Sequence, residues 1–142
     1  MTNDSSTPLI VVGMDGSAGS REALQWAVAQ AELSGAAVQA VMAWHLPEVY
    51  AVVSRDYEAD ARLELQAAIE ETLSPDQRSR VTGRVVPGHP GHVLVDASRH
   101  AQMLVVGSHG HGELIGKLID SVSAHCVYHA ECPVVVVRHA AP

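Results

Sequence analysis

The stretch PLIVVGMDGS, residues 8–17, passes from a proline through six apolar or small residues into Asp15-Gly16-Ser17. A run so short and so continuously apolar has no polar face to offer water, which predicts a strand buried on both sides and closed by a turn. Three more runs have the same character: Ala36 to Trp44, Met103 to Gly107 (MLVVG), and Pro133 to Arg138 (PVVVVR). Val81 to Pro87 is a shorter candidate strand.

Segments of helical period lie between these runs. Ser17 is placed to cap a helix to about Leu33, in which Ala23, Leu24, Ala27, Val28 and Ala31 recur at three- and four-residue steps and Gly35 supplies the stop. From Arg55 to Leu73, Ala61, Leu65, Ala68, Ile69 and Leu73 share a stripe, and Pro75 is expected to end that helix. The six carboxylates between Asp56 and Glu71 read as its solvated face. Pro90 opens a helix to about Arg99 or Ala101 with Val93, Leu94 and Ala97 inward, and the last helix spans roughly Ser121 to Ala130. His45 to Ser54, with Pro47 inside it, is a connection without clear period.

Strands and helices therefore alternate, which predicts a three-layer α/β/α sandwich around a five-stranded, mostly parallel sheet with right-handed crossovers. Orders 2-1-3-4-5 and 3-2-1-4-5 both satisfy the residues; in the second, the first and fourth strands are neighbours. Such sheets bind ligands beyond the carboxyl ends of their strands, where successive connections leave to opposite faces.

Composition narrows the class. The chain has 142 residues, 47% hydrophobic and 18% charged, enough for one globular domain, here residues 8–139 behind a disordered tail of residues 1–7. It contains no Phe, so Val, Ala, Leu and Ile must fill the core. Nine basic residues, of which Lys117 is the one lysine, face sixteen acidic ones, a formal charge of −7. Binding to nucleic acid or to an anionic membrane needs clustered positive charge, and neither is expected. Cys126 and Cys132, six apart, match no C-x-x-C motif and no disulfide framework, and Met1 to Thr7 leads into no apolar segment long enough for a signal peptide or membrane span. A soluble, cytoplasmic protein is expected.

Two strand ends stand out as chemistry-bearing: Met14-Asp15-Gly16-Ser17, and Gly107-Ser108-His109-Gly110-His111-Gly112. Glycines let backbone N–H groups approach an anion, and the helix starting at Ser121 adds unpaired donors, so phosphate is the fitting ligand there. A carboxylate at Asp15 suits a ribose hydroxyl. Each feature has a purely structural reading as well: glycines for tight turns, Asp15 for an Asx turn. No Gly-Lys-Ser/Thr follows at P-loop spacing.

The segments IVVGMDGSAGS (10–20), VLVDASRHAQMLVVGSHGHG (93–112) and SVSAHCVYHAECPVVVVR (121–138) resemble the universal stress protein family, over a span from Pro8 to Arg138. The resemblance implies strand order 3-2-1-4-5, a homodimer, and in one branch of the family the binding of ATP, with Mg2+, through a motif Gly-x2-Gly-x9-Gly followed by Ser or Thr. Gly107, Gly110 and Ser121 match that motif in spacing; Asp120 occupies the place of its third glycine. Asp120 is suited to capping the following helix. At about 5 Å and an effective dielectric of 20 to 80, its charge would repel each phosphate charge by about 1–3 kcal/mol, a term that Mg2+ or Lys117 would offset. The implied ligand set is Asp15, Gly16 and Ser17 at the first strand, Met42 and Trp44 on the adenine side of the second, and Gly107, Ser108, His109, Gly110, Asp120, Ser121, Val122 and Ser123 around the fourth. Trp44 would stack on the base or, on the structural alternative, fill the rim of the core. The implied role is a stress-response regulator that binds an adenine nucleotide; the alternatives are a dimeric interaction module for an unknown protein partner without nucleotide, and a slow ATPase in which His109 or His111 positions water.

Nine histidines raise the question of metal. His125 and His129 lie four apart on one helix, but Cys126 points about 100 degrees away from His125, and His89 and His92 offer no clear ligand geometry, so structural or solvent-facing histidines are expected. No G-x-S-x-G nucleophile motif is present. In order 3-2-1-4-5, Val134 to Val137 forms an apolar edge strand, which invites pairing with a second copy.

Overall fold

A computed structural model describes residues 7–45, 56–108 and 121–138. The expectations for residues 1–6, the connection around Pro47, and His109, Gly110, His111, Lys117 and Asp120 lie outside these.

Five strands, β1 (Leu9–Met14), β2 (Ala37–Trp44), β3 (Val81–Pro87), β4 (Met103–Gly107) and β5 (Val134–Val137), form one parallel sheet in the order β3-β2-β1-β4-β5. The order 2-1-3-4-5 that the residues alone left open is thereby excluded. β1 lies at the centre, with Leu9 to Met14 paired to Ala37 to Met42 on one side and Ile10 to Val12 paired to Met103 to Val105 on the other. Every residue of β1 after Leu9 is buried, as its unbroken apolar sequence requires.

Strand alternation divides the core into two layers. Ile10, Val12, Met14, Val38, Ala40 and Met42 point to one face, covered by α1 (Ala18–Ser34) through Ala23, Leu24, Ala27, Val28 and Ala31 and by α2 (Tyr57–Thr72) through Ala61, Leu65 and Ala68. Val11, Val41, Leu104 and Val106 point to the other, covered by α4 (Pro90–Ala97) through Val93 and Leu94 and by α5 (Ser121–His129) through Cys126. The helix stripes expected from the sequence are the buried ones. The chain first builds leftward from β1 over one face, then returns past β1 to β4 over the other; with right-handed crossovers, that reversal is what puts the two helix pairs on opposite faces.

Local signals set the helix ends. The Ser17 hydroxyl accepts the Ser20 N–H (3.2 Å), and Gly35, at φ 78°, turns the chain left-handed while its N–H bonds the Ala31 carbonyl. One boundary differs from expectation. α2 ends at Thr72 before Pro75, and the proline begins a further one-turn helix, α3 (Pro75–Arg78), closed by a capping box in which Ser74 and Gln77 bond each other's backbone N–H. Proline is well suited to a first helical position, where its missing N–H costs nothing.

Two close approaches fix how the layers meet. A Cβ on Gly107 would stand 2.7 Å from the Gly19 carbonyl oxygen and 2.8 Å from its carbon, so the end of β4 lies directly on the first turn of α1. A Cβ on Gly91 would stand 2.8 Å from the His125 ring, so α4 and α5 meet with an imidazole laid on glycine. That ring belongs to a row: His89 to His92, His92 to His125 and His125 to His129 have ring centroids 5.7, 4.8 and 4.4 Å apart. Desolvation, followed by the positive charge of His129, His92 and His89, holds the His125 imidazole below the usual histidine range.

Two predictions follow from this packing. Gly107→Ala drives a methyl into backbone and costs about 1–3 kcal/mol in denaturant unfolding, whereas Gly13→Ala, whose Cβ would meet the Leu94 side-chain end at 2.6 Å, costs less because a leucine can rotate away. The unfolded chain binds the His125 proton at higher pH than the folded one, so stability is complete above a pH of about 6.5 and falls as the pH drops through that value. Thermal melts between about pH 7 and 5 should show this loss, and His92→Gln together with His129→Gln should lessen it, leaving the part due to desolvation.

Candidate functional site

At the carboxyl ends of β1 and β4, where the chain reverses direction, the two strands part around a cavity of about 100 Å³. Its wall is formed by Gly13, Met14, Asp15, Ser17 and Ser20 from β1 and α1, Val106 and Gly107 from β4, Pro90 and Leu94 from α4, and Val122 and Ser123 from α5. Of the residues expected from the sequence, the structure thus brings together Asp15, Ser17, Gly107, Val122 and Ser123.

The β1 side is a hydrogen-bond network. Asp15 Oδ1 accepts both the backbone N–H of Ser17 (2.9 Å) and its hydroxyl (2.5 Å). The Ser20 hydroxyl donates to the Ser17 carbonyl (3.0 Å) and accepts the Asp15 N–H (3.4 Å). Gly16, at φ 83°, provides the left-handed residue on which the turn pivots. The Asx-turn reading of Asp15 is therefore realised, and it is compatible with the other reading: the turn fixes the carboxylate in place while the side chain still lines the cavity.

On the β4 side Gly107, Ser108 and Ser123 serve the fold. The absence of a side chain at Gly107 is required by α1, through the Gly19 contact. The buried Ser123 hydroxyl donates to the Gly107 carbonyl (2.5 Å) and so ties the start of α5 to the end of β4. Ser108 is buried, and its N–H extends the β4–β5 ladder to the Val137 carbonyl (2.9 Å). Ser121, the first residue of α5, is exposed.

Met42 and Trp44 stand beside the cavity rather than in its wall. Met42 pairs in register with Met14 and is buried among the α1 and α2 contacts. Trp44 pairs with Pro87 and packs partly buried against the same layer, with its indole N–H buried and unbonded by any described residue. Sequence reasoning missed Gly13, Ser20, Pro90, Leu94 and Val106. Ser20 carried a signal, lying three residues after the Ser17 cap; Pro90 and Leu94 carried none, because α4 reaches the cavity from the opposite face of the sheet.

The cavity carries both signs of charge. α1, α4 and α5 all direct their N-terminal ends toward it, and none of the three has an acidic residue in its first turn, whereas α2 carries Glu58 and Asp60 there and α3 carries Asp76. Unpaired N–H groups and aligned peptide dipoles make such ends partially positive. Asp15 is the one formal charge in the described wall. Among the described residues no group of three His, Cys, Asp or Glu is arranged to hold a metal, and no helix is long and apolar enough to cross a membrane.

Comparison with known proteins agrees with this fold. A universal stress protein of Mycobacterium tuberculosis (strain H37Rv) is 37% identical over 133 residues, covering 91% of this chain and 45% of the relative. The chain spans about half the length of the curated relatives it matches. A crystal structure of a universal stress protein in complex with cAMP is 25% identical, with a TM-score of 0.70, covering 94% of this chain and 98% of that one. A universal stress protein from Archaeoglobus fulgidus in complex with dAMP has the same fold at 21% identity, with a TM-score of 0.65 over 92% of this chain and 96% of that one. The model of the universal stress protein family matches residues 8–138, and the chain belongs to that family.

Proposed function

We propose that the protein is a stress-response regulator that binds an adenine nucleotide in the crevice between β1 and β4. The observation that carries this reading is the cavity itself, at the reversal point of the sheet, with the N-terminal ends of three helices turned toward it and one carboxylate fixed at its edge. A phosphate takes the positive end, a ribose hydroxyl takes the carboxylate, and the base extends toward Met42 and Trp44. The cAMP complex of a family member 25% identical supports an adenylate as the ligand.

Among adenylates, the sequence favours the less charged. Asp120 replaces the third glycine of the phosphate motif, and its repulsion grows with each phosphate charge, so AMP and cAMP are preferred to ATP unless Mg2+ bridges the anions. A second reading, an interaction module without nucleotide, draws on the same aspartate. In either case the half-buried Val134–Val137 strand at the sheet edge supports a homodimer in which two β5 strands cover each other, a cytoplasmic pair open to a further protein partner.

Calorimetric titration with cAMP, AMP and Mg2+-ATP, together with chromatography of nucleotide released on denaturation, tests the proposal. Binding of an adenylate is expected, with Asp120→Gly raising ATP affinity about ten- to a hundredfold and AMP affinity less. Asp15→Asn keeps the acceptor for Ser17 while removing the charge; it should weaken adenylate binding about tenfold or more with little change in melting temperature. No adenylate binding at about millimolar concentration, in the chain and in Asp120→Gly alike, would leave the interaction module. For the dimer, light scattering should give twice the chain mass, and Val136→Lys should reduce it to one.

A further inference from the structure

β3 is the outermost strand on the side of the sheet opposite β5, and the nucleotide reading makes no use of it. Its register with β2 runs unbroken from Val81 to Pro87, with no proline before that last residue. In a parallel ladder, alternate residues of a strand bond the same neighbour. The Val38 N–H bonds the Arg80 carbonyl (3.1 Å) and the Gly88 N–H bonds the Trp44 carbonyl (2.8 Å), so the even-numbered residues of this stretch face β2. The backbone N–H and C=O groups of Val81, Gly83 and Val85 therefore point outward, where no described residue pairs with them. The same three residues line a groove of about 380 Å³ between β3 and α2. Its floor is apolar: Leu65 and Ile69 lie over Gly83, 3.2 and 3.4 Å from where a Cβ would stand, with Val81 and Val85 to either side.

The rim has the opposite sign to the rest of the chain. Arg62, Arg78 and Arg84, three of the nine basic residues of a chain with formal charge −7, stand there against the carboxylate of Glu70. Arg78 donates to the Glu70 and Leu73 carbonyls, both at 3.2 Å, so no carboxylate cancels its charge there. Arg62 pairs with Glu58, while Arg84 is exposed and pairs with no carboxylate among the described residues. We propose that the β3 edge and this groove dock an acidic segment of a partner protein, bound in extended form as a sixth strand. The outward N–H and C=O groups supply main-chain bonds, and apolar side chains of the segment fill the groove. Strand alternation sets Val81, Gly83 and Val85 on the α2 face and Arg84 on the other, so carboxylates on either face of the segment meet a guanidinium. A second copy fits poorly, because two β3 edges brought together would set arginine against arginine.

The test is titration of the tag-free, 15N-labelled chain with a capped synthetic peptide of alternating glutamate and valine, as long as β3, followed by NMR and calorimetry. One-to-one binding with a Kd between about 10 µM and 1 mM is expected, with the amide signals of Val81, Gly83 and Val85 shifting most. Methylating alternate peptide nitrogens, which removes the donors facing β3, should weaken binding about tenfold or more. Arg84→Glu, at an exposed position compatible with folding, should do the same, and the lysine and valine counterpart should not bind. No binding of the acidic peptide up to about 1 mM, equal affinity for its lysine counterpart, or an Arg84→Glu affinity within about threefold of the parent chain would overturn the proposal. So would shifts at the same amides that grow with the concentration of the chain alone, because they assign the edge to a second copy. Adenylate binding is titrated separately, and its failure leaves each of these outcomes as it stands.

Discussion

The end of β4 touches the backbone of α1 with no side chain between them, and much of the molecule is arranged around that contact. A strand lying on a helix at Gly107 and Gly19 leaves β1 and α1 no freedom to move relative to β4, although β4 arrives from the far half of the chain. The same residue offers its carbonyl to the Ser123 hydroxyl, so α5 is registered against the same point. Three elements separated widely in sequence therefore share one fixed corner, and the cavity opens at that corner. Rigidity of this kind lowers the entropy lost when a ligand is held.

A core without phenylalanine is consistent with such close approaches. Val, Ala and Leu supply nearly all of both layers, and the five small or medium residues that α1 turns inward keep the helix near the sheet. β-branched valines suit the strands because their side chains are stiff and fill a pleated surface evenly. Bulkier rings would hold α1 further off and open the corner at Gly107.

The fold was legible in the sequence because its signals are local and consistent. Short continuous apolar runs bounded by turn residues read as strands, and helix stripes at three- and four-residue steps identified most of the buried faces of α1, α2 and α4. Where reading failed, the physics was long-range or ambiguous. Pro75 is equally a helix stop and a helix start, and only the reciprocal bonds of Ser74 and Gln77 decide between them. Asp15 was legible as a turn residue or a ligand group, and the structure realises the turn while leaving the side chain in the cavity wall. Pro90, Leu94 and His92 act through the packing of α4 across the sheet, which no spacing within their own segment encodes. Trp44 packs partly buried against the core, and its position outside the cavity wall depends on how β2 and β3 end together.

The central strand also sets the order in which the chain can be completed. β1 pairs with β2 through nearby sequence, but its other edge waits for Met103 to Val105. During synthesis, the first three strands with α1 and α2 can assemble as soon as Pro87 has emerged, leaving β1 with an open edge and Val11 with an uncovered face. Long-range parallel pairing is slow and leaves such surfaces exposed to neighbouring chains. A half-built state of this kind would expose the edge of β1 at the place where the cavity later forms.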